Sequence, residues 1–310
     1  MAFTSSANAE PGNGSASSSA PGIEEVLVTG VQPGPGLWRV SSGRRTMWIL
    51  GTYAPLPYQM QWRSEEVEAT IAESKLVLAP YAAEFYVPGI DAYDLTGKKL
   101  KKVLEPATYK RWNTLRKKYI KRDGKEDWLP ASAAFQLQAR AFQSAGLSFD
   151  DQVWRTVKKI AREHRVRVSD DHQIRLEVMP RGSVDLGTSV YYEPAAIEFL
   201  TRTLDRLEKD LTATKARANA WAVGDLRALR GLMEFNQEKA YMASLAGPFM
   251  AENGIQDLFE RADEKWLFAA KNALSTSDVT FAILPVSMLM DPNGLLAKLG
   301  AMGYDVQAPR

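Results

Sequence analysis

The sequence predicts an α/β (α+β) domain with a mixed central β-sheet built from N- and C-terminal segments, flanked by helices, with a mostly helical middle. Two observations support this prediction. Short runs of β-prone apolar residues occur near both chain ends, at 37–50 and 279–306, and apolar residues at helical spacing fill most of positions 106–274. We therefore expect one domain over residues 36–310, in which terminal strands share a sheet.

Turn and capping signals predict the first elements. Leu37–Val40 and Thr46–Leu50 are apolar runs that flank Ser42-Gly43-Arg44, which indicates a β-hairpin. A helix is expected after Ser64, because acidic residues occupy its first turn and apolar residues follow at helical spacing. Leu76-Val77-Leu78 is a candidate for a short buried strand.

Prolines, aspartates and glycines divide the middle of the chain into segments with helical apolar spacing. Helices are predicted to begin at Pro106, Pro130 (ending at Gly146), Asp150 or Asp151, Pro194 (reaching Leu211), Asp225 and Ile255. Polar and apolar residues alternate in Ile174–Val178, which predicts a strand. The last elements are expected to be a strand at Val279–Leu284, a helix at Gly294–Leu299 and a strand at Tyr304–Val306.

Composition narrows the possible functions. Lys and Arg number 39 against 37 Asp and Glu, and this balance gives no reason to expect a nucleic-acid partner. The basic runs Lys98–Lys102 and Arg116–Lys118 are interpreted as solvated faces. Cysteine is absent, which excludes disulfides, thiolate metal ligands and cysteine nucleophiles. With only two histidines, His164 and His172, the chain is poorly supplied with zinc ligands.

The N-terminal segment favours export. Ala7-Asn8-Ala9 has the small-residue pattern that precedes signal-peptidase cleavage, although no positive and apolar regions stand before it. A low-complexity tail that contains Ala-x-Ala by chance is the alternative. We interpret residues 1–35 as a signal-peptide remnant and a disordered Gly/Ser/Ala/Pro-rich tail. A periplasmic or secreted protein without a transmembrane segment is therefore expected.

Distinctive motifs lie near both ends of the chain. The opening motifs, Leu37-Trp38-Arg39-Val40, Trp48-Ile49-Leu50-Gly51-Thr52, Leu56-Pro57 and Trp62-Arg63-Ser64, resemble those of the TraB/GumN family. Trp221-x-x-Gly224-Asp225-Leu226 is similar to the family's middle helices, and Gly294–Leu299 and Gly303–Val306 are similar to its last helix and strand. The resemblance covers residues 36–307 and is weakest between 80 and 190. It implies a relation to the Tiki metalloproteases and, more distantly, to erythromycin esterase-like and haem-binding ChaN-like proteins.

The resemblance implies a hydrolytic metal site formed by two Gly-x-x-His motifs and a Glu that closes an early strand. This sequence departs at each ligand position. Ala54 stands at the first histidine, Ala79 at the strand-ending glutamate and Met288 at the second histidine, while Pro285 replaces the second glycine. Alanine has no ligand atom, and a thioether suits copper(I) or haem iron rather than a hydrolytic ion.

These replacements predict a catalytically degenerate protein without metal or cofactor that binds an unknown small molecule or a peptide or protein partner. The vacated site is expected either to be packed shut or to be a pocket lined by Gly51, Tyr53, Leu56, Tyr81, Pro285 and Ser287. Ser287 has no motif-positioned histidine, so a catalytic triad is not expected. Two alternatives remain: a hydrolase with a metal around Asp170, Asp171 and His172, and haem or copper binding through Met288 and Tyr53.

Overall fold

The computed structural model describes residues 26–58, 60–91, 93–120, 125–179, 191, 193–209, 211–232 and 237–309. The predicted cleavage site and the linker up to residue 25 lie outside these residues. Residues 26–35, which were expected to belong to a disordered tail, are instead held by α7 (Thr212–Val223). The backbone N–H of Val28 donates to Asn219 Oδ1 at 2.9 Å, and the Gly34 N–H donates to the Ala222 carbonyl at 2.8 Å.

Among the described residues, six strands form the main sheet. Its spatial order is β12 (Asp305–Gln307), β2 (Leu37–Ser42), β3 (Arg45–Thr52), β11 (Val279–Pro285), β6 (Leu76–Leu78) and β9 (Arg167–Ser169). The pairs β12–β2 and β2–β3 are antiparallel, whereas β3, β11, β6 and β9 run parallel to one another. The sheet is therefore mixed, and its centre joins the two ends of the chain, as the sequence predicts.

The centre of the sheet is also the centre of the main hydrophobic core. Residues 280–284 of β11 are all buried, which is the pattern of a parallel strand covered on both faces. The long helix α10 (Leu258–Thr276) packs against β3, β6 and β11, and α1 (Glu65–Glu73) packs against β11. The carboxyl ends of the parallel strands are consequently supported by a closely packed interior.

The remaining helices include those that the sequence predicts, in the predicted order. They are α2 (Leu100–Val103), α3 (Pro106–Tyr119), α4 (Pro130–Ser144), α5 (Gln152–Glu163), α6 (Glu193–Glu208), α8 (Leu226–Leu232), α9 (Gln237–Glu252), α11 (Val286–Met290) and α12 (Leu295–Ala301). The helix expected to reach Leu211 ends earlier, because Leu211 has a left-handed backbone with φ 59° and separates α6 from α7. In the described part of the chain, no helix combines the length and apolarity needed to span a bilayer.

A smaller unit lies beside the main sheet. β7 (Ala83–Tyr86) and β10 (Ile174–Glu177) form a parallel pair, and their inner side chains share a second hydrophobic cluster with residues of α9 and α10. The short strands β1 (Val31–Gln32) and β5 (Gln61–Trp62) pair in parallel, and β4 (Leu56–Pro57) pairs with β8 (Leu147–Ser148) in antiparallel fashion. Sequence patterns did not predict the short strands β1, β4, β5, β7, β8 and β9, which have two to four residues each, or the helices α2, α9 and α11.

Candidate functional site

The candidate site lies where the four parallel strands end. β3, β11, β6 and β9 end at Thr52, Pro285, Leu78 and Ser169, and because these strands are parallel their carboxyl ends lie at one edge of the sheet. Ligands of α/β proteins commonly bind beyond this edge. The residues assigned to the site from the sequence lie at the ends of these strands or in the segments that follow them.

At the first strand, Gly51 is closely packed. A Cβ atom at this position would lie 2.7 Å from Val286 Cγ2, 2.8 Å from Trp38 Cζ3 and 3.1 Å from Leu289 Cδ1. The Gly51 carbonyl oxygen accepts a hydrogen bond from Trp221 Nε1 at 2.9 Å. The absence of a side chain therefore lets α11 and the Trp38 ring come close to β3, and side chains fill the space beside this glycine.

The residues after Gly51 are divided between solvent and interior. Ala54, at the position of the first expected histidine, is exposed, and a cis peptide bond joins it to Pro55. Tyr53 is half-buried, and its hydroxyl oxygen accepts a hydrogen bond from Arg217 Nε of α7 at 3.0 Å. Leu56 is buried within β4. The Tyr53 hydroxyl is thus already engaged with α7.

At the third strand, Ala79 occupies the position of the expected glutamate and is only 2% exposed. Its N–H donates to the Ser169 carbonyl at 2.9 Å, and its carbonyl oxygen lies 3.0 Å from His172 Nε2. Gln173 Nε2 donates to the neighbouring Pro80 carbonyl at 2.7 Å. The side chains of His172 and Gln173, which follow β9, therefore form hydrogen bonds with the backbone carbonyl groups that follow β6.

Tyr81 belongs to a polar group that connects the edge to two helices. Its hydroxyl lies 3.0 Å from Asp263 Oδ1 of α10, and Lys298 Nζ of α12 lies 3.1 Å from Asp263 Oδ2. Burial, followed by the negative charge and hydrogen bond of Asp263, raises the pKa of Tyr81 well above the usual tyrosine range. Tyr81 is consequently a neutral hydroxyl over the physiological pH range.

The second expected motif forms the start of α11. Pro285 ends β11 opposite Thr52, and Val286 and Leu289 are buried against the main core. Ser287 and Met288 are half-buried, and Met288 packs against the same core. A Cβ at Gly294 would lie 2.6 Å from the Met288 carbonyl oxygen, so the turn after α11 requires glycine there. The thioether is therefore part of the packing around this turn.

The two histidines have different environments. His172 is 3% exposed; its Nε2 bonds to Ala79, while its Nδ1 is buried without a hydrogen-bond partner. Burial lowers the pKa of His172, partly opposed by the carbonyl oxygens of Ala79 and Pro80. His164 is exposed, with Nε2 3.3 Å from Glu68 Oε1 of α1. The aspartates before His172 predict a turn. The position of His172 at the site edge depends on β9, which the sequence does not predict.

The residues at this edge do not fit the metal site that the family resemblance implies. In the described parts of the chain, no group of three or more His, Asp or Glu side chains is arranged to hold a metal ion. Asp170 and Asp171 are exposed, and Asp171 Oδ2 accepts a hydrogen bond from Ser169 Oγ at 2.8 Å, while the adjacent His172 points into the interior. The Asp-Asp-His alternative therefore lacks a converging set of ligands in this conformation.

A cleft of about 350 Å³ is present elsewhere, next to β10. Its lining consists of Leu176, Glu177, Val178, Met179, Asn253, Ile255 and Arg261. None of the residues predicted to line a pocket, such as Gly51, Tyr53 or Ser287, contributes to it. This cleft is therefore separate from the edge where the implied site would lie.

Comparison with known proteins adds one finding. A family model described as the TraB/PrgY/gumN family matches residues 36–308. Neither the curated proteins nor the solved structures include one that matches the chain.

Proposed function

Because the chain belongs to the TraB/PrgY/gumN family, we propose that it is a catalytically degenerate member, which binds a small molecule or a peptide or protein partner rather than hydrolysing a substrate.

The observation that carries this proposal is the packing around Gly51. Val286 and Leu289 of α11 approach the glycine so closely that a Cβ there would lie 2.7 Å from Val286 Cγ2 and 3.1 Å from Leu289 Cδ1. The helix that would present a second histidine thus uses its apolar side chains to close the space, and Met288 packs against the core. An activated water needs an open coordination position on a metal held by nitrogen or oxygen ligands.

Three polar groups at the edge support the same proposal, because each has a protein partner. The Tyr53 hydroxyl is bonded to Arg217, the Tyr81 hydroxyl to Asp263, and His172 Nε2 to the Ala79 carbonyl. Groups engaged in this way stabilise the fold, and using them as metal ligands or general bases would break existing hydrogen bonds.

The test is the metal content of untagged protein, followed by titration with manganese, cobalt and zinc. We expect no stoichiometric metal in the natural protein. A variant with Ala54→His, Ala79→Glu and Met288→His restores the implied ligands; if it folds, we expect it to bind metal more tightly than the natural protein.

One equivalent of tightly bound metal in the natural protein would overturn the proposal. Loss of that metal in His172→Gln and Asp171→Asn variants would then identify a hydrolase that uses Asp170, Asp171 and His172. A Soret band that disappears in Met288→Leu would instead identify haem binding.

We also propose that the protein is exported, on the basis of the Ala7-Asn8-Ala9 pattern. Recovery from a periplasmic fraction of a chain that starts at Glu10 is the expected result. An intact Met1 on protein recovered from the cytoplasm would refute it.

A further inference from the structure

A dense group of lysines surrounds the short helix α2. Leu100 and Leu104 are buried, whereas Lys98, Lys99, Lys101 and Lys102 are exposed. Backbone hydrogen bonds fix this segment, from the Leu100 N–H to the Glu126 carbonyl at 2.8 Å and from the Gly97 N–H to the Asp127 carbonyl at 2.6 Å. The two leucines thus anchor the segment, and the four lysines are held toward solvent.

Helix α3 extends this group. Lys110 and Lys117 are seven residues apart, which places them on one helix face, and both are exposed. The opposite face carries the buried Trp112 and Leu115. Only Leu104 and Glu105 separate the two helices. We call the six side chains the lysine surface: Lys98, Lys99, Lys101, Lys102, Lys110 and Lys117.

Few acidic residues accompany the lysine surface in the sequence, so little negative charge nearby in the chain balances its positive charge. Between residues 98 and 118 the only acid is Glu105. Arg111 is paired with Asp205 and Glu208. Arg116 NH2 lies 3.0 Å from Glu126 Oε1. The arginines therefore engage these nearby carboxylates, and none of the six lysines forms an ion pair with a residue in the described parts of the chain.

The side chains indicate which kind of anion fits. Binding to bases would use arginine forks or exposed aromatic rings. Here both arginines of α3 are engaged in ion pairs, and Tyr109 and Tyr119 are half-buried. Leu100 and Leu104 face the core, so neither is available for insertion into a bilayer. Exposed lysines carry compact point charges on long side chains, and such charges match the diffuse negative charge of lipid headgroups.

We propose that the lysine surface adsorbs electrostatically to membranes that contain anionic phospholipids. This interaction is independent of the sheet edge and of the metal chemistry discussed above. It is also consistent with the nearly balanced overall charge of +2, because residues 98–118 contain one acidic residue, Glu105, among many basic ones. The two basic runs, which the sequence analysis treated as separate solvated faces, belong to neighbouring helices in the structure.

The test is co-sedimentation with vesicles of phosphatidylcholine alone or with roughly one third phosphatidylglycerol. We expect binding only to the anionic vesicles, and loss of binding when salt rises from about 0.1 M to about 1 M. Each neutralised lysine should weaken binding about fivefold. The variant Lys98→Gln/Lys99→Gln/Lys101→Gln/Lys102→Gln should therefore bind anionic vesicles at least about a hundredfold more weakly than the natural protein.

A matched control removes the same charge elsewhere, through Lys75→Gln/Lys158→Gln/Lys265→Gln/Lys271→Gln, all at exposed positions. We expect this variant to retain binding within a few-fold of the natural protein. Equal losses in the two variants, or no binding of the natural protein to anionic vesicles, would overturn the proposal. Binding to single-stranded DNA but not to vesicles would also overturn it and would identify a nucleic-acid surface instead.

Discussion

His172 Nε2 lies 3.0 Å from the backbone carbonyl oxygen of Ala79, so the buried histidine is bonded to the residue where the family resemblance implies a glutamate. This distance indicates that Nε2 carries the proton and donates it, while Nδ1 is left without a partner. The imidazole is thus neutral in the folded protein and links the loops that follow β6 and β9.

The first prediction concerns stability at low pH. Because burial lowers the pKa of His172 in the folded state, the unfolded chain binds more protons below its own value of about 6.5. The free energy of unfolding should fall as pH drops below about 6.5, by up to ~1.4 kcal/mol per pH unit, and level off below the folded-state pKa. In His172→Gln this part of the pH dependence should disappear, as measured by urea unfolding between about pH 5 and about pH 8.

Gln173 provides the matched control, because it bonds to the neighbouring Pro80 carbonyl but does not titrate in this range. Gln173→Ala should cost about 1 kcal/mol at every pH and keep the slope of the natural protein. If His172→Gln also keeps that slope, the proposed role of the buried imidazole is wrong.

The second prediction concerns the packing at Gly51. Gly51→Ala should destabilise the protein by about 1–3 kcal/mol, because the new Cβ would lie within 3 Å of Val286 and Trp38. In the double variant Gly51→Ala/Val286→Ala, the loss of unfolding free energy should be smaller than the sum of the losses in the two single variants, because the shorter side chain makes room for the new methyl group. Gly231→Ala in α8 is the control, since nothing lies within 4 Å of its added Cβ and alanine favours helix. Equal denaturation midpoints for Gly51→Ala and Gly231→Ala would contradict the close packing.

The third prediction concerns the hydrogen bond that Trp221 donates to Gly51, and it separates the stability due to this bond from the stability due to the volume of the indole ring. Trp221→Phe removes the donor to the Gly51 carbonyl, whereas Trp112→Phe removes similar volume at an indole whose Nε1 has no partner. Both rings are buried. Trp221→Phe should therefore cost about 1–3 kcal/mol more than Trp112→Phe in chemical denaturation, because a buried carbonyl loses its donor. A smaller loss for Trp221→Phe than for Trp112→Phe would show that this bond contributes little.

The fourth prediction concerns Tyr81. Ultraviolet titration should show no tyrosinate from this residue up to about pH 11 while the protein stays folded, because burial and Asp263 raise its pKa. The difference between the natural protein and Tyr81→Phe should therefore be flat through the normal tyrosine range. Asp263→Asn should lower the pKa of Tyr81 but not restore its ordinary value, since burial is the larger cause. A tyrosinate signal near pH 10, absent from Tyr81→Phe, would refute this.

Sequence patterns predicted most of the long helices and the framework of the sheet, although α9 was missed. The hairpin around Gly43, the helix after Ser64 and the terminal strands are all present, because each has a local signal such as a turn glycine or an apolar run. The α/β class and the family resemblance were confirmed. Each of these features depends on residues that are close together in the sequence, and residue periodicity reports such local relationships.

The site was less predictable, because it depends on contacts between distant segments. β9 has only three residues, two of them exposed, so its sequence has no apolar run. Without β9, nothing indicated that His172 would lie beside Ala79, 93 positions earlier. Similarly, Pro285–Met288 gave no sign of the closeness with which α11 packs on Gly51, since that distance is set by tertiary packing.

The pairing of β3 with β11 also has a consequence for synthesis of the chain. Thr46 pairs with Val279 and Thr52 with Pro285, so the two central strands are more than two hundred positions apart. More than two hundred further residues must be synthesised before β3 can acquire this neighbour. Closing so long a loop is slow, and an unpaired apolar strand is prone to aggregate. Until β11 has been made, the hairpin of β2 and β3 therefore carries an unpaired apolar edge.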